Sequence, residues 1–515
     1  MPAAFSFNPP GDAVALAHRL AEAGHQVFFC GGAVRDSLRG EQPKDYDLAT
    51  SATPEEISRL IPSAIPVGKA FGVMLAEGTA GGHYEIATFR TDLAYTDGRH
   101  PDGVVFSTPE EDARRRDFTI NALFYNLFTR EIIDYVGGLA DLEGRTLRTV
   151  GVATERFQED KLRLLRAVRF AARTGFRIAE ETWDALCLLA GEIKVVSAER
   201  IAGELETILT NGYASPGLRL LRESGLLPHL LPEVEALAGV LQPPLFHPEG
   251  DVWTHTLILL AYLDQAVKNQ VGPEDFTPAD LEQRIPPPPS PPGEKPGADS
   301  ASLPMGREEY LEGIRECWSA MDSGARLALA WSALLHDIGK PDTFEVSDRI
   351  RFNNHDLQGA EMARDILIRL HRSVRLQESV YSLIRRHIHF SNLSHLRRNK
   401  LRRWLAEADF PLHLELHRLD CHSSHNLLAN WFFGLRAWRL EKERPAARKP
   451  LLRGGDLLDL GVRPGPEIGR LLRLVEDAQL DGEISSRAEA LALVERERAG
   501  ESVQGEKKDS HPAKI

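Results

Sequence analysis

The sequence predicts an α+β protein: a head of strands and helices over residues 1–150, followed by segments that are helical throughout. Three observations carry this. Residues 1–150 alternate β-like apolar runs with helical stretches and hold most of the glycine-flanked motifs. Residues 151–235 are helical and rich in arginine. Residues 236–425 are helical again and carry most of the histidines.

At roughly 150 residues per domain, 515 residues suggest about three or four domains. Hydrophobic residues make up 42% and charged residues 27%, which excludes a wholly disordered chain, a collagen and a coiled-coil rod. No apolar run reaches about 18 residues, so no membrane span is expected. The best run, Leu327 to Leu335, ends in His336. Met1 to Pro10 lacks a basic region followed by an apolar core, so no secretory signal is expected. Cys30, Cys187, Cys317 and Cys421 are far apart, without a CxxC, which fits a reducing cytoplasm and argues against a cysteine zinc site. The net charge of −13 argues against nucleic-acid binding unless the basic residues cluster.

In the head, Val27 to Cys30 reads as a buried strand, Gly31-Gly32 as a turn, and Ala33 to Leu38 as a helix. A strand, a glycine turn and a helix start present backbone N–H groups to an anion, and Arg35 can add a charged fork. An ordinary Gly-Gly turn is the bland alternative. Next comes Lys44-Asp45-Tyr46-Asp47-Leu48-Ala49. On a strand, Asp45 and Asp47 share a face, and adjacent carboxylates repel unless a cation sits between them. Mg²⁺ suits such carboxylates and leaves positions open for phosphates. A solvated edge strand is the alternative. Glu85, on the strand-like Tyr84 to Arg90, offers a third carboxylate or a plain surface residue. Arg114-Arg115-Arg116-Asp117, followed by Asn121, suits triphosphate and ribose contacts or a solvated helix start.

On a helical wheel over Glu159 to Arg173, Leu164, Leu165, Val168, Ala171 and Ala172 fill one face. Arg163, Arg166, Arg169 and Arg173 fill the opposite face, interrupted only by Phe170 and without acids among them. That points to a polyanion or a nucleotide.

Together these residues resemble the class II tRNA nucleotidyltransferase and bacterial poly(A) polymerase family. The matching motifs are Gly31-Gly32-Ala33-Val34-Arg35-Asp36, Asp45-Tyr46-Asp47, Arg115-Arg116-Asp117-Phe118-Thr119-Ile120-Asn121-Ala122 and Glu159-Asp160-Lys161-Leu162-Arg163. The resemblance implies a nucleotidyltransferase head with a mixed β-sheet and flanking helices (1–150) and an all-α neck that selects the base (151–235). It implies a helical domain over 236–425 with a proline-rich insert at 268–306, and a helical tRNA-binding tail over 426–498. Residues 499–515 are expected to be disordered. The resemblance further implies Mg²⁺ on Asp45 and Asp47, and a nucleotide site of Gly31, Gly32, Arg35, Arg116, Asp117, Asn121, Asp160, Arg163, Arg166 and Arg169.

Base choice has its own physical logic. Asp160 and Arg163, at i and i+3, are neighbours on the helix. Cytosine and adenine present an amino donor beside a ring-nitrogen acceptor; uracil and guanine present the reverse. An Asp–Arg pair therefore complements C and A and leaves unpaired groups against U and G. The family assigns the same templating role to this pair. The polar segment Asp92 to Pro101 resembles the flexible loop that the family needs for adding A; an ordinary surface loop is the alternative.

Histidines define a second site. Trp253-Thr254-His255-Thr256, His336-Asp337, Asn354-His355-Asp356 and Arg386-His387 precede the helix-like Leu412 to Asp420. A buried His-Asp step must be satisfied, and a divalent metal does that well. The ordered set resembles the HD phosphohydrolase superfamily. His255, His336, Asp337 and Asp420 match its four-ligand pattern for a divalent metal of unspecified identity, and His355 and His387 can extend it to a second metal. Arg385 to Arg403 is the most basic long segment and suits an RNA backbone or solvent. Pro464-Gly465 should set a turn before a helix in the tail.

The expected enzyme is a cytoplasmic protein that adds or repairs the 3′-terminal CCA of tRNA from CTP and ATP, with no membrane partner. The HD resemblance adds either phosphohydrolysis of RNA 3′ ends or RNA binding alone. A CC-only or A-only enzyme and a poly(A) polymerase remain alternatives. So does a phosphohydrolase or RNA-binding protein with an inactive head. Nothing in the sequence sets the oligomeric state. The expected surface is an acidic body with a narrow basic track over 114–116, 163–173 and 385–403.

Overall fold

A computed structural model describes residues 7–68, 72–78, 81–93, 103–269, 284–285, 303–304, 306–443, 450–480 and 483–506. The loop Asp92 to Pro101 falls mostly outside these residues, and the proline-rich insert almost entirely. The chain forms two compact units. One is Met1–Leu241, Asp251–Asn269 and Met362–Gln377; the other is Gln242–Gly250, Gln270–Glu361 and Glu378–Ile515. Head and neck thus share one compact unit.

The head opens with α1 (Gly11–Glu22), β1 (Val27–Cys30), α2 (Gly32–Leu38) and β2 (Asp47–Thr50). Then come α3 (Pro54–Leu60), β3 (Ile65–Gly68), β4 (Val73–Glu77), β5 (His83–Thr88) and the short pair β6 (Arg90–Asp92) and β7 (Val104–Phe106). α4 (Pro109–Arg114), β8 (Phe124–Asn126), β9 (Glu131–Ile133), α5 (Gly138–Glu143) and β10 (Thr146–Leu147) complete it. Seven strands form one sheet in the order β3-β4-β5-β2-β1-β8-β9. The sheet is mixed: β2 and β5 run parallel, and the other neighbours run antiparallel.

Strand periodicity explains why β1 is buried along its whole length. Val27 and Phe29 enter one core with Leu16, Leu20, Leu48 and Ile86. Phe28 and Cys30 enter a second core with Phe89 and Phe124. The end of β1 is therefore held from both faces, which places the glycine turn after it.

The neck contains α6 (Ala153–Glu159), α7 (Leu162–Thr174), β11 (Arg177–Ile178), α8 (Glu180–Leu189), α9 (Ala198–Thr210) and α10 (Ala214–Glu223). The apolar face of α7, with Leu164, Leu165, Val168, Ala171 and Ala172, is buried as its spacing predicts. Each such leucine stabilises the fold by about 1.5–3 kcal/mol. α7 ends at Gly175, which takes a left-handed conformation (φ 68°) that glycine tolerates best.

The expected continuous helix over Glu159 to Arg173 is corrected. α6 stops at Glu159, and Asp160 is extended (φ −142°, ψ 107°). Its Oδ1 accepts the backbone N–H of Leu162 at 3.0 Å. An Asp side chain competes for backbone N–H groups and so favours a helix boundary over a helix interior. The neck is also not purely helical: β11 pairs in parallel with β10 of the head.

In the second unit the apolar run Leu327 to Leu335 lies in the buried helix Ser323–Leu335, capped by Asp322 and ending directly before His336. A hairpin, Phe344–Val346 paired with Ile350–Phe352, interrupts the helices. The tail helices Gly454–Asp459, Pro466–Leu480 and Arg487–Glu506 pack around their own core of Leu457, Leu471, Val475, Ala490 and Val494. The second of these starts directly after Pro464-Gly465. The last continues through Glu506, so residues 499–506 are helical rather than disordered. Among the described residues no helix is long and apolar enough to cross a membrane.

Candidate nucleotidyl-transfer and metal sites

Gly31 follows β1 with φ 66°, a conformation that side chains other than glycine rarely adopt. A Cβ there would lie 3.4 Å from Nη1 of Arg116. The turn brings the start of α2 against Arg116, and Gly31 N–H donates to the Leu123 carbonyl at 3.2 Å. Arg35 is almost fully buried. It donates to Asp36 Oδ1 (2.8 Å) and Asn121 Oδ1 (2.5 Å) and lies over the Phe170 ring at 5.2 Å. It is a bracket between α2, Asn121 and α7, not the open phosphate fork that its position in the sequence suggested.

β2 begins at Asp47, not at Lys44. Tyr46 turns into the core, its ring 5.7 Å from Phe7 and 6.3 Å from Phe29. Asp45 is exposed and precedes the strand, so strand alternation does not itself set its side relative to Asp47. The parallel register Leu48↔Ile86 sets Glu85 beside Asp47 one step earlier. Burial pushes the Asp47 carboxyl up to about 6, the nearby Glu85 and Asp45 charges add to this, and Arg116 opposes it. The charges of Glu85 and Asp45 thus act on Asp47, and carboxylate oxygens are the hard donors that Mg²⁺ takes.

The basic segment after α4 is charge-compensated. Arg114 pairs with Glu110 at 2.7 Å. Arg115 pairs with Asp112 at 2.6 Å. Arg116 donates to Asp112 Oδ2 (3.2 and 3.0 Å) and to the Asn121 carbonyl (3.2 Å), and lies over the Phe124 ring. Asn121 in turn donates to Asp117 Oδ1 at 3.1 Å.

The arginine face of α7 is compensated as well, which corrects the expectation of a bare cationic face. Arg163 donates to Glu159 (2.5 Å), the Arg156 carbonyl (3.0 Å) and the Arg115 carbonyl (3.4 Å). Arg166 donates to Asp117, Arg169 pairs with Glu204 of α9 at 2.7 Å, and Arg173 pairs with Asp36 of α2 at 2.7 Å. Burial would raise the Asp117 carboxyl, but Arg166, Asn121 and Arg163 hold it down to about 2. Asp160 does not touch Arg163 through its side chain: its Oδ2 accepts from Arg200 of α9 at 2.7 Å. A cleft of about 550 Å³ opens beside this element, lined by Asp92, Arg115, Arg156, Gln158 and Glu159 among others. The sequence assigns no role to Asp36, Arg200 or Glu204, because their roles arise from contacts across 35 residues or more.

The segment Arg385 to Arg403 shows the same pattern. Arg385 meets Asp356, Arg386 meets Glu407, Arg402 meets Glu441 and Arg403 meets Asp477. The expected basic track is locally neutralised by its own acids.

The histidine site has its clearest geometry in the second unit. One ligand atom each from Asp337, His355 and His387 lie within 4.8 Å of one another. His336 Nε2 is 3.2 Å from Asp337 Oδ2 and 4.0 Å from Asp420 Oδ1. In each histidine the other ring nitrogen, Nδ1, faces a backbone carbonyl: Ala333 for His336 (3.1 Å), Phe352 for His355 (2.7 Å) and Ile384 for His387 (2.6 Å). That assigns the proton to Nδ1 and turns the Nε2 lone pair toward the cluster, as metal-ligating imidazoles require. Burial pushes His387 down to about 4 and the neighbouring His355 and His336 add to it, so it is neutral. Lys340, which the sequence reading did not single out, donates to Asp337 Oδ2 at 2.7 Å. Gly339 has no room for a Cβ, which would lie 2.3 Å from the His355 carbonyl. His255 is fully buried on the helix Val252–Val267 of the first unit.

Comparisons with known proteins agree with this layout. Residues 27–148 match the poly A polymerase head domain, residues 175–237 match the probable RNA and SrmB-binding site of polymerase A, and residues 309–420 match the HD domain. The chain is 44% identical over 237 residues to the CCA-adding enzyme of Geobacillus kaustophilus, covering 45% of this chain and 58% of that protein. It is 39% identical over 255 residues to the CCA-adding enzyme of Latilactobacillus sakei, covering 48% and 64%. The match thus spans little more than half the length of these relatives. The fold resembles the crystal structure of the Bacillus stearothermophilus CCA-adding enzyme in complex with CTP, with a TM-score of 0.62 and 24% identity over 95% of this chain and 98% of that one.

Proposed function

We propose that this chain is a template-independent tRNA nucleotidyltransferase that adds or repairs the 3′-terminal CCA in the cytoplasm. The RNA 3′-hydroxyl loses its proton and bonds to the α-phosphorus of CTP or ATP. The α–β anhydride bond breaks and pyrophosphate leaves. The observation that carries this reading is the carboxylate trio Asp45, Asp47 and Glu85 in one compact unit with the Asp160–Arg163 element. The relatives named above are CCA-adding enzymes, and one was solved with CTP.

Asp45 and Asp47, with Glu85, would hold Mg²⁺, which supplies a lowered hydroxyl pKa and charge for the leaving oxygen. Gly31, Gly32, Arg116, Asp117 and Asn121 frame the triphosphate and ribose, and Arg35 braces Asn121 behind them. Asp160 accepts from and Arg163 donates to the base edge, with Arg166 and Arg169 alongside. In functional terms the chain divides as 1–150 head, 151–235 neck, 236–425 HD domain and 426–498 tRNA-binding tail.

The test uses tRNA lacking CCA, tRNA lacking only A, and a generic RNA, each with CTP and ATP separately and together. Three residues added to the first substrate and one to the second support the reading. Addition of C alone or A alone replaces it with a partial enzyme, and A tails on generic RNA with a poly(A) polymerase.

A second reading rests on the three imidazoles whose Nε2 atoms converge on Asp337. His336, Asp337 and Asp420 would hold one divalent metal, and His355 and His387 a second. The chemistry is hydrolysis of phosphate esters at RNA 3′ ends. Metal-dependent opening of a 2′,3′-cyclic phosphate by the wild type, lost in His336→Ala and Asp337→Ala, is the expected result. Absence of hydrolysis by the wild type overturns it.

A further inference from the structure

The hairpin Phe344–Val346/Ile350–Phe352 is unexplained by either reading. Its register pairs Phe344 with Phe352 and Val346 with Ile350, while Glu345 faces Arg351. Side chains alternate along a strand, so Phe344, Val346, Ile350 and Phe352 share one face, and that face is wholly apolar. It is also open: Phe344 is 42% exposed and Val346 65%. Two exposed strands have no stability reason to hold such a face toward solvent.

The face is continuous with the histidine cluster. The His387 and His355 rings lie 5.4 Å apart, His355 and Phe352 lie 6.2 Å apart, and Phe352 and Phe344 lie 5.9 Å apart. The Phe352 carbonyl is the group that fixes the His355 tautomer. The Lys340 ammonium sits 5.3 Å over the Phe352 ring while bonded to Asp337. A row of rings thus runs from the buried cluster out to the surface, with a cation at its inner end.

We propose that this ribbon is the nucleobase platform of the HD site. A phosphate ester held at the cluster directs its esterified nucleoside along Phe352 and Phe344, where the base stacks on the aromatic face. Lys340 favours the anionic end of the same ligand. The substrate class is then a terminal nucleotide, free or at an RNA 3′ end, and not a small phosphate ester lacking a base. Stacking tolerates every base, so the platform selects for a base without selecting which one. The proposal rests on the phosphohydrolase reading of the cluster.

The test compares wild type, Phe344→Ala and Phe344→Tyr on two substrates with added Mn²⁺ or Ni²⁺: cytidine 2′,3′-cyclic phosphate and its base-free analogue glycerol 1,2-cyclic phosphate. Phe344→Ala should raise KM for the cytidine substrate roughly fivefold or more, leave KM for the glycerol substrate unchanged, and change kcat little for either. Phe344→Tyr should restore the wild-type KM. Equal KM values for Phe344→Ala and wild type on the cytidine substrate overturn the platform while the phosphohydrolase reading stands. Hydrolysis of neither substrate by the wild type overturns both. A parallel KM increase on both substrates assigns Phe344 a structural role and overturns the platform.

Discussion

Arg166 holds Asp117 through two nitrogens, Nε at 3.0 Å and Nη2 at 2.6 Å from the same carboxylate oxygen. The two residues belong to neck and head and lie 49 positions apart. Through Asn121 the contact continues to Arg35, and through Arg35 to Asp36 and Arg173. The Asp117–Asn121 segment, α2 and α7 are therefore one hydrogen-bonded body. Asp117→Asn should lower stability at pH 7 by about 2 kcal/mol, the scale of a carboxyl held at about 2. Because the folded pKa is depressed, this contribution is present above about pH 4 and fades as pH falls toward 2. Urea unfolding of both proteins at pH 7 and pH 2.5 should show the gap closing; a gap independent of pH contradicts the assignment.

Asp45→Ala and Asp47→Ala should each reduce nucleotide addition on the order of 10³-fold or more while leaving the fold intact, measured by single-turnover CTP incorporation beside circular dichroism. Turnover near wild type would show that the carboxylates are not ligands.

The Asp47 carboxyl, raised to about 6, makes a pH prediction. Its raised pKa means that the protonated form prevails below about pH 6, and a cation must then displace that proton. Apparent Mg²⁺ affinity should fall about tenfold per pH unit below that point and level off above it. Mg²⁺ titrations of incorporation between pH 5 and 8 would reveal this break, and a flat profile would refute it.

Asp160→Ala and Arg163→Ala should erode the preference for C and A over U and G in assays with all four nucleotides. Arg163 is held by Glu159 and two backbone carbonyls, so Glu159→Gln should weaken that preference less than either alanine variant. Unchanged selectivity in both alanine variants would remove the pair from base choice.

Local pattern carried much of this molecule. The β1 strand, its glycine turn, the apolar face of α7 and the His336-Asp337 step after an apolar helix are all readable, because each depends on spacing within a few residues. The helix break at Asp160 was less accessible. A wheel scores apolar periodicity, whereas this boundary depends on one carboxylate accepting the Leu162 N–H.

What sequence determined by itself was the local order of strand, turn and helix and which faces are apolar. What tertiary structure alone decided was how charge is distributed. Four arginines on α7 looked like a bare cationic surface until Glu159, Asp117, Glu204 and Asp36 were seen against them. All four acids arrive from outside α7. Ionic attraction depends on distance in space rather than separation along the chain, and a partly buried arginine must find its counter-charge wherever the fold brings one.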